Sequence, residues 1–261
     1  METGFFVTLF ALGLIGGFLS GLLGIGGGII MVPLLLYVPP ALRVGALSMK
    51  VVAGITSVQS FFGAASGALA HKRHRVVSFP LALYMGGGMG IGSFAGSVGS
   101  KFVSSESILL VFACMAFAAA TLMFLPKPEM GPTPEVRELT FNKTLALVAG
   151  LVIGLLSGII GQGGAFLFIP AMLYILRIPT RITIGTALII GMISSVLVLI
   201  GRLGTNQVPY LEAGILVAGV LIGAQVGAKV SHKTPRKVLR SILAVIIAAT
   251  AVKIWYELLF K

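Results

Sequence analysis

A glycine-rich stretch that occurs twice constrains the fold of this chain more than any other feature. Residues 20–37 have the sequence SGLLGIGGGIIMVPLLLY, and residues 157–174 have SGIIGQGGAFLFIPAMLY, so corresponding positions lie 137 apart. The identical pairs are Ser20/Ser157, Gly21/Gly158, Gly24/Gly161, Gly26/Gly163, Gly27/Gly164, Pro33/Pro170 and Tyr37/Tyr174. Most of them are Gly or Pro, which determine backbone shape. Two copies of one backbone motif are therefore predicted.

Both copies lie in apolar runs that are too long to cross a bilayer as one straight helix. Runs 5–38 and 144–176 would each form a helix of roughly 50 Å at 1.5 Å per residue. The hydrocarbon core of a membrane is only about 30 Å thick. Glycine also costs a helix about 1 kcal/mol relative to alanine. We expect each run to break at its glycine cluster.

The remaining composition places the whole chain in a membrane. Only 10% of the 261 residues are charged, and the mean hydropathy is +1.08, whereas soluble domains average about 25% charged residues. The apolar runs are 5–38, 44–70, 76–99, 107–125, 144–176, 182–201, 209–228 and 238–260. We predict an all-α polytopic membrane protein with a first repeat over residues 1–125, a linker over 126–143 and a second repeat over 144–261.

Loop charge favours an inverted relation between the two repeats. If every run crosses the membrane once, the 19 basic residues divide almost evenly between the two faces. If each glycine-broken run instead enters and returns to its own face, only six fall on the outer face, and the other thirteen satisfy the positive-inside rule. Those six are Arg43, Lys50, Lys101, Arg202, Lys253 and Lys261. Each repeat then crosses an odd number of times, which predicts inverted repeats with re-entrant opening arms.

A second similarity lies near the end of each half. Residues 92–97 (GSFAGS) match residues 223–228 (GAQVGA) at an offset of 131 positions. Both contain a GxxxG spacing, Gly92/Gly96 in one and Gly223/Gly227 in the other. This spacing allows two helix backbones to approach closely. Here the glycines are predicted to have a packing role.

The charge inventory points to an anionic cargo. Inverted repeats with interrupted helices are typical of secondary transporters, which bind substrate near the midplane. Backbone N–H groups freed at a helix break attract anions. Carriers coupled to cations usually keep carboxylates inside the membrane, but this chain has no Asp, and its seven Glu lie near run ends or in loops. We expect a small anion to bind between the two breaks.

The candidate binding residues are of three kinds. Backbone N–H groups and one amide come from the breaks, at Gly24, Gly26, Gly27, Gly28, Gly161, Gln162, Gly163, Gly164 and Ala165. Hydroxyl groups come from Ser48, Ser57, Thr186 and Ser194, and the one cationic candidate is Lys50. Two structural alternatives stay open, since hydroxyls in helices often bond local carbonyls and a lysine near a helix end can reach the interface.

No pattern in the sequence indicates catalysis. Cys114 is the only cysteine, and His71, His74 and His232 lie in basic segments without metal-ligand spacing. We therefore predict a protein that is not an enzyme and has no catalytic residues, metal site or cofactor. Its partners are the anion and the lipid bilayer, with no nucleic acid. A coupling proton or sodium ion and homo-oligomerisation stay open.

These motifs resemble the TauE/SafE family, which includes sulfite exporters and four-toluene-sulfonate uptake permeases. The resemblance is carried by GLLGIGGGIIMVPLLL and GIIGQGGAFLFIPAML, followed by ALSMKVVAGITS and GTALIIGMISS. It implies transport of a sulfite-like anion or an organosulfonate across a bacterial inner membrane. The second motif departs from the first by having Gln162 and Ala165 in place of Ile25 and Gly28. An anion channel and a permease for another small anion are the alternatives.

Overall fold

The described part of the chain is helical. The computed structural model describes residues 2–23, 28–70, 77–124, 139–162, 164–231, 245 and 252–256. Its helices are α1 (Glu2–Leu23), α2 (Gly28–Ala41), α3 (Met49–Ala70), α4 (Phe79–Gly99), α5 (Ser105–Phe124), α6 (Lys143–Ile160), α7 (Ala165–Pro170), α8 (Thr180–Gly204) and α9 (Tyr210–Ser231). A 3₁₀ turn, Ser100–Phe102, follows α4, and a π turn, Ala171–Ile175, follows α7.

Several of these helices have the length and composition of membrane spans. Within the described residues, five helices are long and apolar enough to cross a bilayer. The spans are Thr3–Leu22, Ser105–Leu122, Lys143–Ile160, Gly185–Gly204 and Tyr210–Gly227. Helices α3 and α4 have comparable lengths of 22 and 21 residues. The prediction of an all-α polytopic membrane protein is confirmed over this part of the chain.

Helices α1 and α9 touch through glycine. A methyl group added to any of three glycines on α1 would overlap a backbone carbonyl of α9, and three glycines on α9 make the same approach to carbonyls of α1. The glycines are Gly13, Gly17 and Gly21 on α1 and Gly219, Gly223 and Gly227 on α9. All are spaced four residues apart, so they form one stripe per helix. The contacts advance together along both helices, which therefore run parallel.

The pair α4 and α6 repeats this interface. Its glycines are Gly88, Gly92 and Gly96 on α4 and Gly150, Gly154 and Gly158 on α6, each facing backbone of the other helix. The α6 glycines lie 137 positions after those of α1, and the α9 glycines lie 131 after those of α4. The close packing predicted for Gly92, Gly96, Gly223 and Gly227 is confirmed. The partners are exchanged between the halves, since each opening helix pairs with the fourth helix of the other half.

Two further parallel contacts extend these pairs to triplets. Gly86 and Gly90 of α4 lie against side chains of α8, and Gly201 at the end of α8 lies against Ser97 near the end of α4. Gly54, near the start of α3, lies against Gln207 and Pro209 just before α9. One triplet is therefore α1, α3 and α9, and the other is α6, α4 and α8. Each triplet contains helices from both halves.

The two triplets run in opposite directions. The start of α3 shares a cleft with the residues that follow α8, because Lys50 and Thr205 line the same cavity. The starts of α3 and α9 therefore lie at the end of the bundle where α4, α6 and α8 finish. We call this the α8-terminal end.

The described parts of the first long apolar run bring its two ends close together. A Cβ added to Gly4 would lie 3.6 Å from the Val44 side chain, and a Cβ added to Gly45 would lie 3.2 Å from the ring of Phe5. The residues after α2 thus lie beside the first turn of α1. Residues 24–27, where the break of this run is predicted, lie outside the described residues.

Adjacent glycines on α4 allow a controlled test of the glycine interface. A methyl group at Gly88 would overlap the Leu147 carbonyl, whereas nothing lies within 4 Å of one at Gly87. Alanine adds about 0.5–1 kcal/mol of helix propensity at either site, but overpacking at Gly88 costs about 1–3 kcal/mol. We expect Gly88→Ala to lower the melting temperature in detergent and Gly87→Ala to leave it unchanged or raise it. Equal melting temperatures would contradict the interface.

Candidate functional site

The break between α6 and α7 is described at its two ends. Gly161 ends α6 in the left-handed region at φ 83°, and its N–H donates to the carbonyls of Ser157 and Gly158. Gly164 precedes α7, also left-handed, at φ 66°. Glycine adopts this region readily, whereas most residues with a Cβ are disfavoured there. The sequence therefore ends one helix and begins the next within four residues.

The ends of this break are tightly enclosed. A Cβ on Gly161 would overlap the Ala53 carbonyl of α3, and one on Gly164 would overlap the Ser157 hydroxyl. That hydroxyl donates to the Ile153 carbonyl at 2.6 Å. The break thus lies where α6 meets α3, which belongs to the opposite triplet. Gln162 lies in the break and is 1% exposed.

The candidate hydroxyl groups have different roles. Ser57 is buried and donates to the Gly54 carbonyl at 2.6 Å, which matches the local, structural alternative. The Ser194 hydroxyl shares a 2.7 Å hydrogen bond with Ser93 and so joins α8 to α4. The Thr186 hydroxyl accepts from the backbone N–H of Ser78 at 3.1 Å. Ser194 and Thr186 therefore form buried polar links between α8 and the α4 region.

The two candidates at the start of α3 lie near the surface of the bundle. Ser48 is exposed, and its hydroxyl accepts from the Val51 N–H at 3.4 Å at the helix start. Lys50 is half-buried, and its Nζ donates to the Lys101 carbonyl at 3.3 Å. Lys50 precedes Ala53, the neighbour of Gly161, by one helical turn.

Arg202 is the functional candidate that the sequence prediction missed. Its side chain is 0% exposed. Nη2 donates to the Ile159 carbonyl at 2.7 Å and to the Gly158 carbonyl at 3.3 Å, and Nη1 donates to Oε1 of Gln207 at 2.8 Å. Nε is buried without an acceptor. The guanidinium thus holds the last carbonyls of α6, immediately before the break.

Within the described residues, no carboxylate balances the charge of Arg202. All its hydrogen-bond acceptors are neutral oxygens of an amide and two carbonyls. The acids among the described residues are Glu2, Glu106 and Glu212, each in the first turn of a helix. Burying an unpaired charge is costly unless hydrogen bonds or a counter-ion compensate it. The region around the second break is therefore electropositive.

The sequence placed Arg202 in a loop because the apolar run was predicted to end at Gly201. Helix α8 in fact continues through Gly204, and α9 begins at Tyr210. The sequence did contain one signal. Only a short segment separates the two apolar runs around Arg202, so this residue has to lie close to the end of the helix bundle. Lys101, also assigned to a loop, lies in the 3₁₀ turn after α4.

The structure gathers some of the predicted site residues and separates others. Gly161, Gln162, Gly164 and Ala165 share the second break, with Lys50 one turn from its neighbour on α3. Gly28 is the first residue of α2. Gly24, Gly26, Gly27 and Gly163 lie outside the described residues.

The described end of α1, which precedes the predicted first break, and the end of α6 lie toward opposite ends of the bundle. Gly21, close to the end of α1, faces Ala224 near the end of α9, while the end of α6 lies beside the end of α8. An α-helix of 22 residues such as α9 is about 33 Å long. A small anion that contacts the second break at Gly164 is therefore distant from the end of α1.

A family comparison agrees with this architecture. The model of the family described as "Sulfite exporter TauE/SafE" matches residues 9–254, which is nearly the whole chain. The chain belongs to the TauE/SafE family. No solved structure matches it at a significant level.

Similar proteins are described as transporters. A "Probable membrane transporter protein YunE" of Bacillus subtilis is 27% identical over 235 residues, covering 84% of this chain and 86% of that protein. A "Probable membrane transporter protein" of Xylella fastidiosa is 31% identical over 184 residues, covering 70% of this chain and 68% of that protein. Together with the apolar helices, these similarities support an integral membrane transporter.

A matched pair of glycines tests the enclosure of the second break. Gly164→Ala places a side chain in the left-handed region, at about 1–2 kcal/mol, and adds the overlap with Ser157. Gly204 ends α8 with no atom within 4 Å of an added Cβ and no positive φ. In this TauE/SafE protein we expect Gly164→Ala to lower the melting temperature clearly and Gly204→Ala to have little effect. A Gly164→Ala protein as stable as wild type would contradict the described geometry.

Proposed function

We propose that the protein is a secondary transporter that moves a small sulfur-containing anion, sulfite or an organosulfonate, across the bacterial inner membrane. The observation that carries the proposal is the buried guanidinium of Arg202 at the second glycine break, bonded to neutral oxygens alone. A desolvated cation of this kind favours an anionic ligand. The family description, which names sulfite export, supports the choice of cargo.

The proposed architecture is a pair of inverted repeats. Helix α1 runs with α9, α6 runs with α4, and the two triplets are antiparallel, so the first and second halves run in opposite directions through corresponding helices. The contact of residues 44–45 with the first turn of α1 supports an arm that returns to its own face. Lys143 lies over the Tyr84 ring at 5.5 Å, with both residues near helix starts, which supports the parallel course of α6 and α4.

The binding route follows from the polar groups between the triplets. An anion enters at the α8-terminal end, near Lys50, and meets Arg202 and the second break. The bonded hydroxyls of Ser93 and Ser194 lie deeper, about 15 Å along α8 from its end at Gly204. The first break lies toward the far face. Because the two breaks lie toward opposite faces, we propose that the anion passes from one break to the other and does not contact both at the same time.

Alternating access is proposed to move triplets rather than halves. Sliding one half against the other would separate the glycine-packed pairs α1–α9 and α4–α6, in which backbone touches backbone. Packed interfaces of this kind change between discrete arrangements and do not deform continuously. The second break lies where α6 of one triplet meets α3 of the other, so motion between triplets would open and close it.

Transport by reconstituted protein tests the proposed function. Gln162→Leu removes the buried amide at the second break, and Gln225→Leu makes the same change at an exposed position on α9. We expect Gln162→Leu to lower sulfite or methanesulfonate flux into proteoliposomes by about tenfold, as for one lost hydrogen bond to a charged group. Gln225→Leu is expected to retain wild-type flux.

The same vesicles distinguish the remaining alternatives. A carrier shows a flux that saturates with anion concentration, whereas a channel shows an ionic current without a saturating carrier rate. Absence of flux for every sulfur anion, with flux for another small anion, would refute the sulfur cargo and favour a different permease. Equal flux in the Gln162→Leu and Gln225→Leu proteins would show that Gln162 does not contribute to anion binding or transport.

A further inference from the structure

A cleft at the α8-terminal end has the composition of an anion-binding mouth. Its volume is about 420 Å³, and its lining includes Lys50, Lys101 and Gln207. Among the described residues, no acid contributes to the lining. Glu106 and Glu212 stand in the first turns of α5 and α9 and are not among the residues that line it. The cleft is therefore positively charged on the side that faces solvent.

Helix ends add to this positive charge. The cleft is formed by the first residues of α3 and by the segment that leads into α9. Both helices have 22 residues, and the start of each carries a partial positive charge from its unpaired N–H groups. Lys50 and Lys101 line the same cleft. The two lysine side chains and the two helix N-termini therefore all make the potential in the cleft more positive.

Gln207 separates this cleft from the buried guanidinium. Its Oε1 accepts from Nη1 of Arg202 at 2.8 Å and from the Ser100 hydroxyl at 2.9 Å. Its Nε2 donates to the Ser97 carbonyl at 3.1 Å and to the Thr205 hydroxyl at 2.5 Å. These four bonds fix the amide with its oxygen toward Arg202. Gln207 thus lines the cleft and also accepts a hydrogen bond from the buried guanidinium of Arg202.

We propose that this cleft is the outer mouth of the anion route, and that the Gln207 oxygen occupies the place on Arg202 that an oxygen of the anion takes. Lys50 and Lys101 attract the anion into the cleft. Arg202 then exchanges a neutral amide acceptor for a charged oxyanion, whose hydrogen bonds are about twice as strong. Its Nε, buried without an acceptor, is a further donor for the same ligand.

This inference rests on the proposed function for its cargo, but the mouth is testable without that cargo. Asn206 is exposed and lines the cleft, and the hydrogen bonds described for the Arg202 side chain go to other residues. We would place a cysteine there, Asn206→Cys, in a Cys114→Ser background. The probes are 2-sulfonatoethyl methanethiosulfonate, which is anionic, and its trimethylammonium counterpart. The ratio of their reaction rates with the cysteine reports the local potential.

We expect the anionic reagent to be favoured, and Lys50→Met or Lys101→Met to lower the rate ratio by about threefold each through loss of the local field. Lys229→Met is the matched control, since it removes an exposed lysine from the last turn of α9, about 30 Å away along that helix. Screening at 0.1 M salt, with a Debye length of about 10 Å, should make it silent. If the rate ratio changes equally in the three lysine variants, or in none of them, the proposal that the cleft is a positively charged mouth is wrong.

A second variant tests the exchange at Arg202. Gln207→Glu keeps the shape of the side chain and places a permanent carboxylate on the guanidinium. We expect it to weaken binding of sulfite, methanesulfonate or sulfate at least tenfold in calorimetric titrations of the full chain. Asn206→Asp makes the same change of charge one residue away and should weaken binding less than threefold, because Asn206 is exposed and is not an acceptor in the hydrogen bonds described for Arg202.

The outcomes separate this inference from the proposed function. Equal losses in Gln207→Glu and Asn206→Asp would show a general field effect and overturn the exchange. Wild-type protein that binds none of these anions would overturn both the exchange and the sulfur cargo. In that case a reagent ratio controlled by Lys50 and Lys101 would still establish the positive mouth.

Discussion

The contact of glycine with backbone carbonyls is the interaction on which the rest of the bundle depends. In the pairs α1–α9 and α4–α6, no side chain separates the two helices along three successive turns. Lipid and core are equally apolar, so close approach and van der Waals contact replace the hydrophobic effect as the source of association. Because each pair takes one helix from each half, neither half can complete its packing alone. The duplicated motif of the sequence is thereby used to interlock the halves.

That interlocking determines where polar groups can lie. Glycine stripes occupy the faces within each triplet, and the break between α6 and α7 is left at the boundary with α3. Arg202 stabilises the end of α6 by donating hydrogen bonds from its guanidinium to the last carbonyls of that helix. The same arrangement therefore stabilises the bundle and makes the route electropositive. Arg202 bonds the free carbonyls at the end of α6, and its positive charge can also attract an anion.

The sequence predicted the helical class, the close packing of Gly92 and Gly223 and the family, because glycine spacing and hydropathy are local properties of the chain. It did not predict Arg202, since one arginine at the edge of an apolar run looks the same whether it turns inward or outward. The exchange of partners between halves was also missed. Helix pairing depends on three-dimensional contacts, and a repeat offset alone does not specify which copy packs against which.

The antiparallel, interlocked arrangement is tested most directly by the sidedness of four single cysteines in a Cys114→Ser background. The positions are Ser48, Asn206, Val77 and Lys229, each near a helix end. In sealed, oriented cells, an impermeant thiol reagent should label Ser48→Cys and Asn206→Cys from outside, and should label Val77→Cys and Lys229→Cys only after the membrane is opened. Labelling of Val77→Cys and Lys229→Cys from opposite faces would contradict the arrangement.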